Sequence, residues 1–210
     1  MVQTRRGVVV YPSDIISTGG LKLVEFMREA DLNVLGIHTN TLSENLSDLR
    51  SFLESDEGQL LLRECEKDSI SIEFESHALH ELLPRELFDS HPEYFRLDSD
   101  GVRKKDYNMC FSSEEAYKEI EKNIDEITKW LKPSTHRYFF WTDDVEHSFC
   151  SCDSCKKYSE SEQALLFENR LLTVLRKTDT LATLAHLAYG STYRAPVNVK
   201  PSEGIFLEYA

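Results

Sequence analysis

Residues 7–38, GVVVYPSDIISTGGLKLVEFMREADLNVLGIH, decide the fold class of this chain. Residues 7–11 predict a first strand, because all of them except Gly7 are β-branched or aromatic. Residues 19–31 place apolar side chains at helical spacing, and residues 33–38 predict a second strand. A strand, a helix and a second strand in this order are typical of a parallel sheet covered by helices.

The same alternation continues along the chain. The pattern predicts four further strands, at residues 69–75, 137–141, 181–187 and 204–209. It predicts three further helices, at residues 46–67, 112–131 and 161–177. No glycine-rich dinucleotide fingerprint follows the first strand, and no phosphate-binding loop occurs elsewhere. We therefore predict an α/β fold of the TIM type, a (β/α) barrel, rather than an open doubly wound sheet.

The predicted barrel is incomplete. A closed (β/α) barrel has eight strands and about 250 residues, whereas six strands are predicted in these 210 residues. We expect a single domain, residues 1–210, that is truncated at its carboxyl end. The missing barrel segment, or a partner chain, would cover the open sheet edges.

Composition excludes several classes of protein. The chain has 24 Lys and Arg against 37 Asp and Glu, a net charge of −13, so a partner with a phosphate backbone is not expected. No apolar run of about 18 residues predicts a membrane span. The first residues lack the apolar run of a signal peptide, which leaves a cytoplasmic protein or the mature part of a secreted one.

Two adjacent carboxylates, Asp143 and Asp144, directly follow the strand predicted at residues 137–141. Ligands bind beyond the carboxyl ends of such strands, and two neighbouring carboxylates raise the pKa of one of them. Asp144 is thus a candidate proton donor, with Asp143 adjusting its pKa and binding sugar. An acidic turn or a helix cap is the structural alternative.

Glu208 ends an otherwise apolar strand and is the candidate base or nucleophile. If Glu208 faces Asp144, the two form the carboxylate pair of a glycosidase. The alternative for Glu208 is a salt bridge at the rim. Aromatic rings and imidazoles near the predicted strand ends suit a sugar, and the candidate substrate-binding residues are His38, His77, Trp141, His147 and Tyr189.

Three of the five cysteines, Cys150, Cys152 and Cys155, lie within six residues. The spacing of the last two suits zinc. Cys110, which precedes the helix leading to the fourth strand, is the candidate fourth ligand of a structural zinc site. A disulfide and free thiols remain the alternatives. No cofactor is required for the proposed catalysis.

Longer blocks of sequence carry a resemblance. Residues 77–79, 82–88, 91–96, 135–141 and 204–209, together with Cys110, the Asp pair and the CxCxxC run, resemble the domain-of-unknown-function 4838 family over residues 5–210. That family is similar to the (β/α)8 α-glucuronidases and β-hexosaminidases. It occurs largely in carbohydrate-degrading bacteria, its members are often secreted, and they usually extend beyond this chain's last residue.

The resemblance implies a carbohydrate substrate and hydrolysis of a glycosidic bond. Hexosaminidases carry an Asp-Glu pair after the fourth strand, where this chain has Asp143-Asp144, so their substrate-assisted chemistry is not transferred to this chain. We therefore interpret the chain as a glycoside hydrolase that acts on a poly- or oligosaccharide by carboxylate acid/base catalysis. A non-catalytic carbohydrate-binding barrel and a zinc-stabilised structural domain are the alternatives.

Overall fold

The computed structural model describes residues 4–39 and 45–210. These residues form two compact units. The first comprises the described residues of Met1–Ser76 together with Trp130–Phe139, and the second comprises His77–Lys129 and Phe140–Ala210.

Strands and helices alternate as the sequence predicts. The first half of the chain contains β1 Gly7–Val10, α1 Pro12–Thr18, α2 Gly20–Glu29, β2 Val34–His38, α3 Leu46–Glu54, α4 Asp56–Lys67 and β3 Ser71–Ser76. After β3 come α5 Leu79–Leu82, α6 Glu114–Ile127, β4 Arg137–Phe140, α7 Glu160–Thr178, β5 Thr183–Ala188 and β6 Ile205–Tyr209. Short 3-10 helices occupy Arg85–Asp89, Pro92–Tyr94 and Gly190–Thr192.

The strands follow the sheet order β1-β2-β3-β4-β5-β6. In the first unit β1 pairs with β2, and β2 with β3, in parallel; in the second unit β5 and β6 are parallel neighbours. Sequential parallel strands with intervening helices define an α/β fold, an incomplete TIM-type barrel, which confirms the predicted fold class. None of the helices in the described ranges is long and apolar enough to cross a membrane.

Two helices replace the single helix predicted at residues 46–67. The break falls at Ser55, whose hydroxyl donates to the Phe52 carbonyl (2.6 Å) and accepts from the Gly58 amide (3.1 Å). A Cβ atom on Gly58 would lie only 2.1 Å from the Phe52 carbonyl oxygen. Glycine at position 58 therefore lets α4 start tightly against the end of α3.

One helix, α1, was not predicted. Pro12 occupies its first turn, where a missing N–H costs nothing. The Asp14 carboxylate accepts from the Tyr11 amide at 3.2 Å, which caps the helix. On either side of Asp100-Gly101 the chain forms two isolated antiparallel bridges, Phe95 with Met109 and Leu97 with Arg103.

Helix α7 supplies much of the core of the second unit. Leu165, Leu171, Leu172 and Leu175, which the sequence places at helical spacing, are all buried. Ser159 caps this helix: its hydroxyl accepts from the Glu162 amide, and the Glu162 carboxylate accepts from the Ser159 amide at 2.8 Å. The buried stripe fixes the rotation of α7 and hence the side chains that it presents near β5.

Candidate functional site

A polar cavity of about 250 Å³ lies in the second unit, after the carboxyl ends of β4 and β5. Its lining comes from the ends of these strands and from α7, and comprises His77, Trp141, Thr142, Asp143, Asp144, Val145, Glu146, Phe149, Ala164, Glu168, Leu187, Tyr189, Gly190, Ser191 and Thr192. A larger groove of about 590 Å³ in the first unit includes Ser69–Ile72 at the amino end of β3. Ligands of α/β folds bind at the opposite end of the strands, so the polar cavity is the candidate active site.

The segment between β4 and α7 has two parts. We call residues 143–148 the acidic loop and residues 150–158 the cysteine loop. The acidic loop contributes Asp143, Asp144 and Glu146 to the cavity lining. The cysteine loop contributes none of the residues that line it.

The two adjacent aspartates have different surroundings. The Asp143 side chain is 7% exposed, and its Oδ2 atom accepts from the Arg85 guanidinium and from the Asn108 backbone amide. Asp144 is exposed, and its carboxylate forms no ion pair with any residue that the structure describes. Of the two, Asp144 is available to a ligand, whereas Asp143 is held by other groups of the protein.

A third carboxylate, Glu146, was not singled out from the sequence. It is exposed, lines the cavity, and lies against Gly190 at the end of β5. A Cβ atom on Gly190 would lie 2.7 Å from Glu146 Oε1, and Gly190 has φ +51°. Glycine at this position therefore gives Glu146 its room.

The apolar and aromatic side of the cavity is formed by Trp141, His77 and Tyr189. The rings of Trp141 and His77 lie 5.0 Å apart. His77 Nδ1 donates to the Thr142 carbonyl at 2.7 Å, which fixes the ring and leaves Nε2 as its other polar atom. Tyr189 is 48% exposed and can present a ring face to a ligand.

The remaining predicted residues lie elsewhere. His147 is not among the cavity-lining residues; its side chain is 81% exposed and contacts Glu160 at 3.4 Å. Glu208 is also outside the lining, but it pairs in register with Leu187, which does line the cavity. His38 belongs to the first unit, where its ring packs edge-on against Tyr11 at 5.6 Å. The roles predicted for these residues stay predictions.

A buried chain of polar groups lies behind the cavity. His186 Nδ1 donates to Glu168 Oε2 at 2.6 Å, and His186 Nε2 lies 3.2 Å from the Ser161 hydroxyl. Burial raises the pKa of Glu168. Burial also lowers the pKa of His186, but the hydrogen bond to Glu168 and the charge of that carboxylate together outweigh it and raise the His186 pKa overall. Ser161, His186 and Glu168 are thus arranged in the order of the nucleophile, the base and the orienting carboxylate of a catalytic triad. Ser161 is 1% exposed, so this arrangement joins α7 to β5 rather than meeting a substrate.

The four predicted metal ligands meet in one cluster. The Sγ atoms of Cys110, Cys150, Cys152 and Cys155 all lie within 4.8 Å of one another, with Cys110 and Cys152 3.7 Å apart. Sulfurs bound tetrahedrally to zinc at about 2.3 Å are about 3.8 Å apart. The cluster can therefore hold a metal ion, as the sequence predicted.

The cluster favours a thiolate at Cys110, whereas the hydrogen bonds to Cys110 raise the pKa of the Cys150 thiol and that of the Cys155 thiol. Thiols of Cys150 and Cys155 hydrogen-bond to Cys110 and lower its pKa. The Ser112 hydroxyl lies 3.3 Å from the sulfur of Cys110, and the Leu97 amide donates to that of Cys150 at 3.3 Å. Donors around the sulfurs stabilise negative charge, as a thiolate metal site requires.

The isolated Cys65 shows the opposite behaviour. Burial and the nearby carboxylates of Asp68 and Glu64 raise the pKa of Cys65 to about 12. Its thiol therefore stays protonated at neutral pH and has the character of a core residue.

Comparisons with known proteins agree with this architecture. The β-galactosidase from the psychrophilic Marinomonas ef1 has a similar structure, with a TM-score of 0.53 and 12% sequence identity. The similarity covers 88% of this chain but 37% of the β-galactosidase, so the chain spans little more than a third of that protein. No curated protein matches the sequence. The model of the family described as "Domain of unknown function (DUF4838)" matches residues 45–209, and the chain belongs to that family.

Proposed function

We propose that the chain is the glycoside-hydrolase domain of a protein that cleaves a poly- or oligosaccharide. The observation that carries this proposal is the exposed carboxylate of Asp144 beside Trp141, His77 and Tyr189 in one cavity after β4 and β5. A carboxyl group can protonate a glycosidic oxygen, and aromatic rings stack on the apolar face of a sugar. The fold shared with a β-galactosidase supports the same class of reaction.

In this mechanism Asp144 is the general acid. It protonates the leaving oxygen while the bond between that oxygen and the anomeric carbon breaks. Glu208 is the proposed base or nucleophile. As the base it takes a proton from the water that bonds to the anomeric carbon; as the nucleophile it forms a glycosyl ester that water then hydrolyses. This role is supported by the register pairing of Glu208 with Leu187, which lines the cavity. Asp143 is bonded to Arg85 and Asn108 and so holds the backbone of the neighbouring Asp144 in place.

The test compares an activated and an unactivated substrate. Wild type and Asp144→Asn are assayed on a panel of 4-nitrophenyl glycosides and on the matching oligosaccharides. A sugar alcohol needs a proton to leave, whereas 4-nitrophenolate does not. We expect Asp144→Asn to lose roughly 10²–10⁴-fold of kcat on the oligosaccharide and much less on the 4-nitrophenyl glycoside.

Asp153→Asn is the matched control. Asp153 is an exposed aspartate of the cysteine loop, paired with Lys156 and outside the cavity. It should keep wild-type kinetics. Full oligosaccharide turnover by Asp144→Asn would remove Asp144 from the mechanism.

A non-catalytic sugar-binding domain is the second candidate. It is favoured by the engagement of Asp143 with Arg85 and by the position of Glu208 outside the cavity lining. It predicts saccharide binding in calorimetry with no turnover of any glycoside on the panel.

We further propose that the cysteine cluster holds a structural zinc ion. Cys110, Cys150, Cys152 and Cys155 would be its four ligands. A four-thiolate site leaves no open position for substrate, so the ion would tie the cysteine loop to residue 110 and take no part in catalysis.

We also propose that a further barrel segment or a partner chain covers β1 and β6, the first and last strands of the sheet order. The 37% share of the β-galactosidase that this chain covers supports this proposal. Wild-type oligomeric state, measured by light scattering, distinguishes a partner copy from a monomer.

A further inference from the structure

We propose that Asn108 and Arg85 are positioning residues that hold the acidic loop so that Asp144 and Glu146 point into the cavity. This inference rests on the proposed function for its catalytic consequence. The geometry that supports it is independent of any substrate.

Asn108 joins the two ends of the acidic loop through one side chain. Its Oδ1 atom accepts from the Asp143 amide at 3.0 Å. Its Nδ2 atom donates to the Ser148 carbonyl at 3.2 Å and to the Ser148 hydroxyl at 2.8 Å. The loop therefore begins and ends on the same amide group.

The backbone of Asn108 is part of the same arrangement. The residue is 0% exposed and has φ 52°, in the left-handed region that asparagine tolerates better than most residues. In this conformation its N–H donates to Asp143 Oδ2 while its side chain reaches Ser148. The sequence position thus needs both an amide side chain and a left-handed backbone.

Arg85 completes the attachment. Its guanidinium donates to Asp143 Oδ2 and also to the Asn108 carbonyl at 3.2 Å. Arg85 therefore bonds both Asp143, the first residue of the acidic loop, and Asn108, whose side chain holds the two ends of that loop together. Within the loop, the Ser148 hydroxyl donates to the Val145 carbonyl at 2.6 Å.

These contacts have a consequence for the two exposed carboxylates. Because residues 143 and 148 are both fixed, the intervening residues have few conformations left, and Asp144 and Glu146 are directed outward into the cavity. Fixing a catalytic group before the substrate binds is worth a large factor in rate, and a displacement of about 1 Å can cost roughly 10²-fold.

The test measures the loop directly by hydrogen exchange of the amides of residues 143–148. Asn108→Gly keeps the left-handed backbone accessible and removes the side-chain bonds. Arg85→Lys keeps the positive charge but removes the guanidinium group that donates to both Asp143 and Asn108. Arg96→Lys is the matched control, since Arg96 pairs with Asp106 through two bonds (2.9 and 2.6 Å) away from the cavity lining.

We expect exchange of the acidic-loop amides to become at least about tenfold faster in Asn108→Gly and Arg85→Lys, with no change in Arg96→Lys. Wild-type exchange in a folded Asn108→Gly overturns the proposal. If Asn108→Gly does not fold, wild-type exchange in Arg85→Lys overturns it instead.

Kinetics separate this proposal from the proposed function. On a glycoside that the wild type cleaves, both variants should lose roughly 10²-fold in kcat with KM changed by less than about threefold. A merely structural role would leave kcat of the folded fraction unchanged, which would overturn the catalytic part. If the wild type cleaves no glycoside, the proposed function fails, and the exchange rates still decide whether Asn108 and Arg85 hold the loop.

Discussion

The acidic loop and the cysteine loop follow each other between β4 and α7 but are held in different ways. Hydrogen bonds from Asn108 and Arg85 fix the ends of the acidic loop, and the carboxylates between those ends are exposed. In the cysteine loop the cysteines turn toward one another. Gln163 of α7 donates to the carbonyls of Cys150 (3.2 Å) and Cys155 (3.4 Å).

The difference separates structural groups from groups that can meet a ligand. The contacts of the cysteine loop with Gln163 and among its sulfurs are made within the protein, so they tie that loop to the fold. The acidic loop leaves Asp144 and Glu146 open to the cavity, where their charge can act on a substrate. Asn108, which bonds both ends of the acidic loop, and Cys110, which belongs to the cysteine cluster, are two residues apart, so one short segment contacts both loops.

The largest expected effect comes from the cysteine loop. Cys155→Ser removes one thiolate from the four-cysteine cluster, and the proposed zinc should be lost with it. Because metal binding and folding are coupled, we expect a loss of several kcal/mol in the free energy of unfolding. Metal content by mass spectrometry and thermal unfolding measure both.

Cys65→Ala is the control for this variant. Cys65 is buried in the first unit and takes no part in the cluster, so its substitution should leave the metal content unchanged. Wild-type protein without stoichiometric metal, or Cys155→Ser with full metal content, would contradict the zinc proposal.

A smaller effect on the free energy of unfolding is expected at Glu162, whose carboxylate accepts hydrogen bonds from the backbone amides of Ser159, Val197 and Asn198. Bonds from the amides of Asn198, Ser159 and Val197 lower its pKa from 4.5 to about 2. A carboxylate with a lowered folded pKa contributes stability above its unfolded pKa. That contribution is lost as the pH falls from about 4.5 to about 2.

Glu162→Gln should therefore be less stable than wild type at pH 7, and the difference should shrink on acidification through this window. Denaturant unfolding at a series of pH values measures the two curves. A gap that stays constant down to pH 2 would show that the carboxylate charge does not stabilise the fold.

The smallest expected effect concerns the charge of the substrate. Among the described cavity-lining residues are four carboxylates, Asp143, Asp144, Glu146 and Glu168, and no Lys or Arg. A glycoside with a uronate group should bind at least about fivefold more weakly than its neutral counterpart, since like charges repel by about 1 kcal/mol at contact distance in water.

Glu146→Gln should narrow this difference, and high salt should narrow it further. Calorimetric titration with a neutral oligosaccharide and with its uronate counterpart measures it. Tighter binding of the uronate would show that a cation outside the described lining reaches the substrate.

The spacing of apolar residues predicted the fold, because each strand and helix is formed by residues that are close together in the sequence. All six strands lie within a few residues of their predicted positions, and Ser113 caps α6 as its sequence indicates. The cysteine cluster was also predictable, because barrel topology brings Cys110 to the face that carries Cys150. The sequence shows an interruption of the helical pattern near Gly58, but the position of the break, at Ser55, depends on how closely α3 and α4 pack there.

The contacts of the acidic loop were not predictable from the sequence. Asn108 and Arg85 lie 35 and 58 residues from Asp143, and no spacing rule connects positions so far apart. The place of the Glu146 side chain in the cavity depends on Gly190, a glycine with a left-handed backbone after the end of β5, because any larger residue there would contact the Glu146 carboxylate. A weak signal existed at Asn108, since asparagine favours left-handed backbone and stands two residues before a cysteine of the cluster.

The adjacent Asp143 and Asp144 have different surroundings, since Asp143 is paired with Arg85 and Asp144 is exposed in the cavity lining. The most direct test is the free energy of unfolding of Asp143→Asn and Asp144→Asn, measured side by side. Asp143→Asn leaves the Arg85 guanidinium without its charged partner and should cost about 2 kcal/mol, whereas Asp144→Asn should stay within about 0.5 kcal/mol of wild type. Equal losses in the two variants would contradict the account.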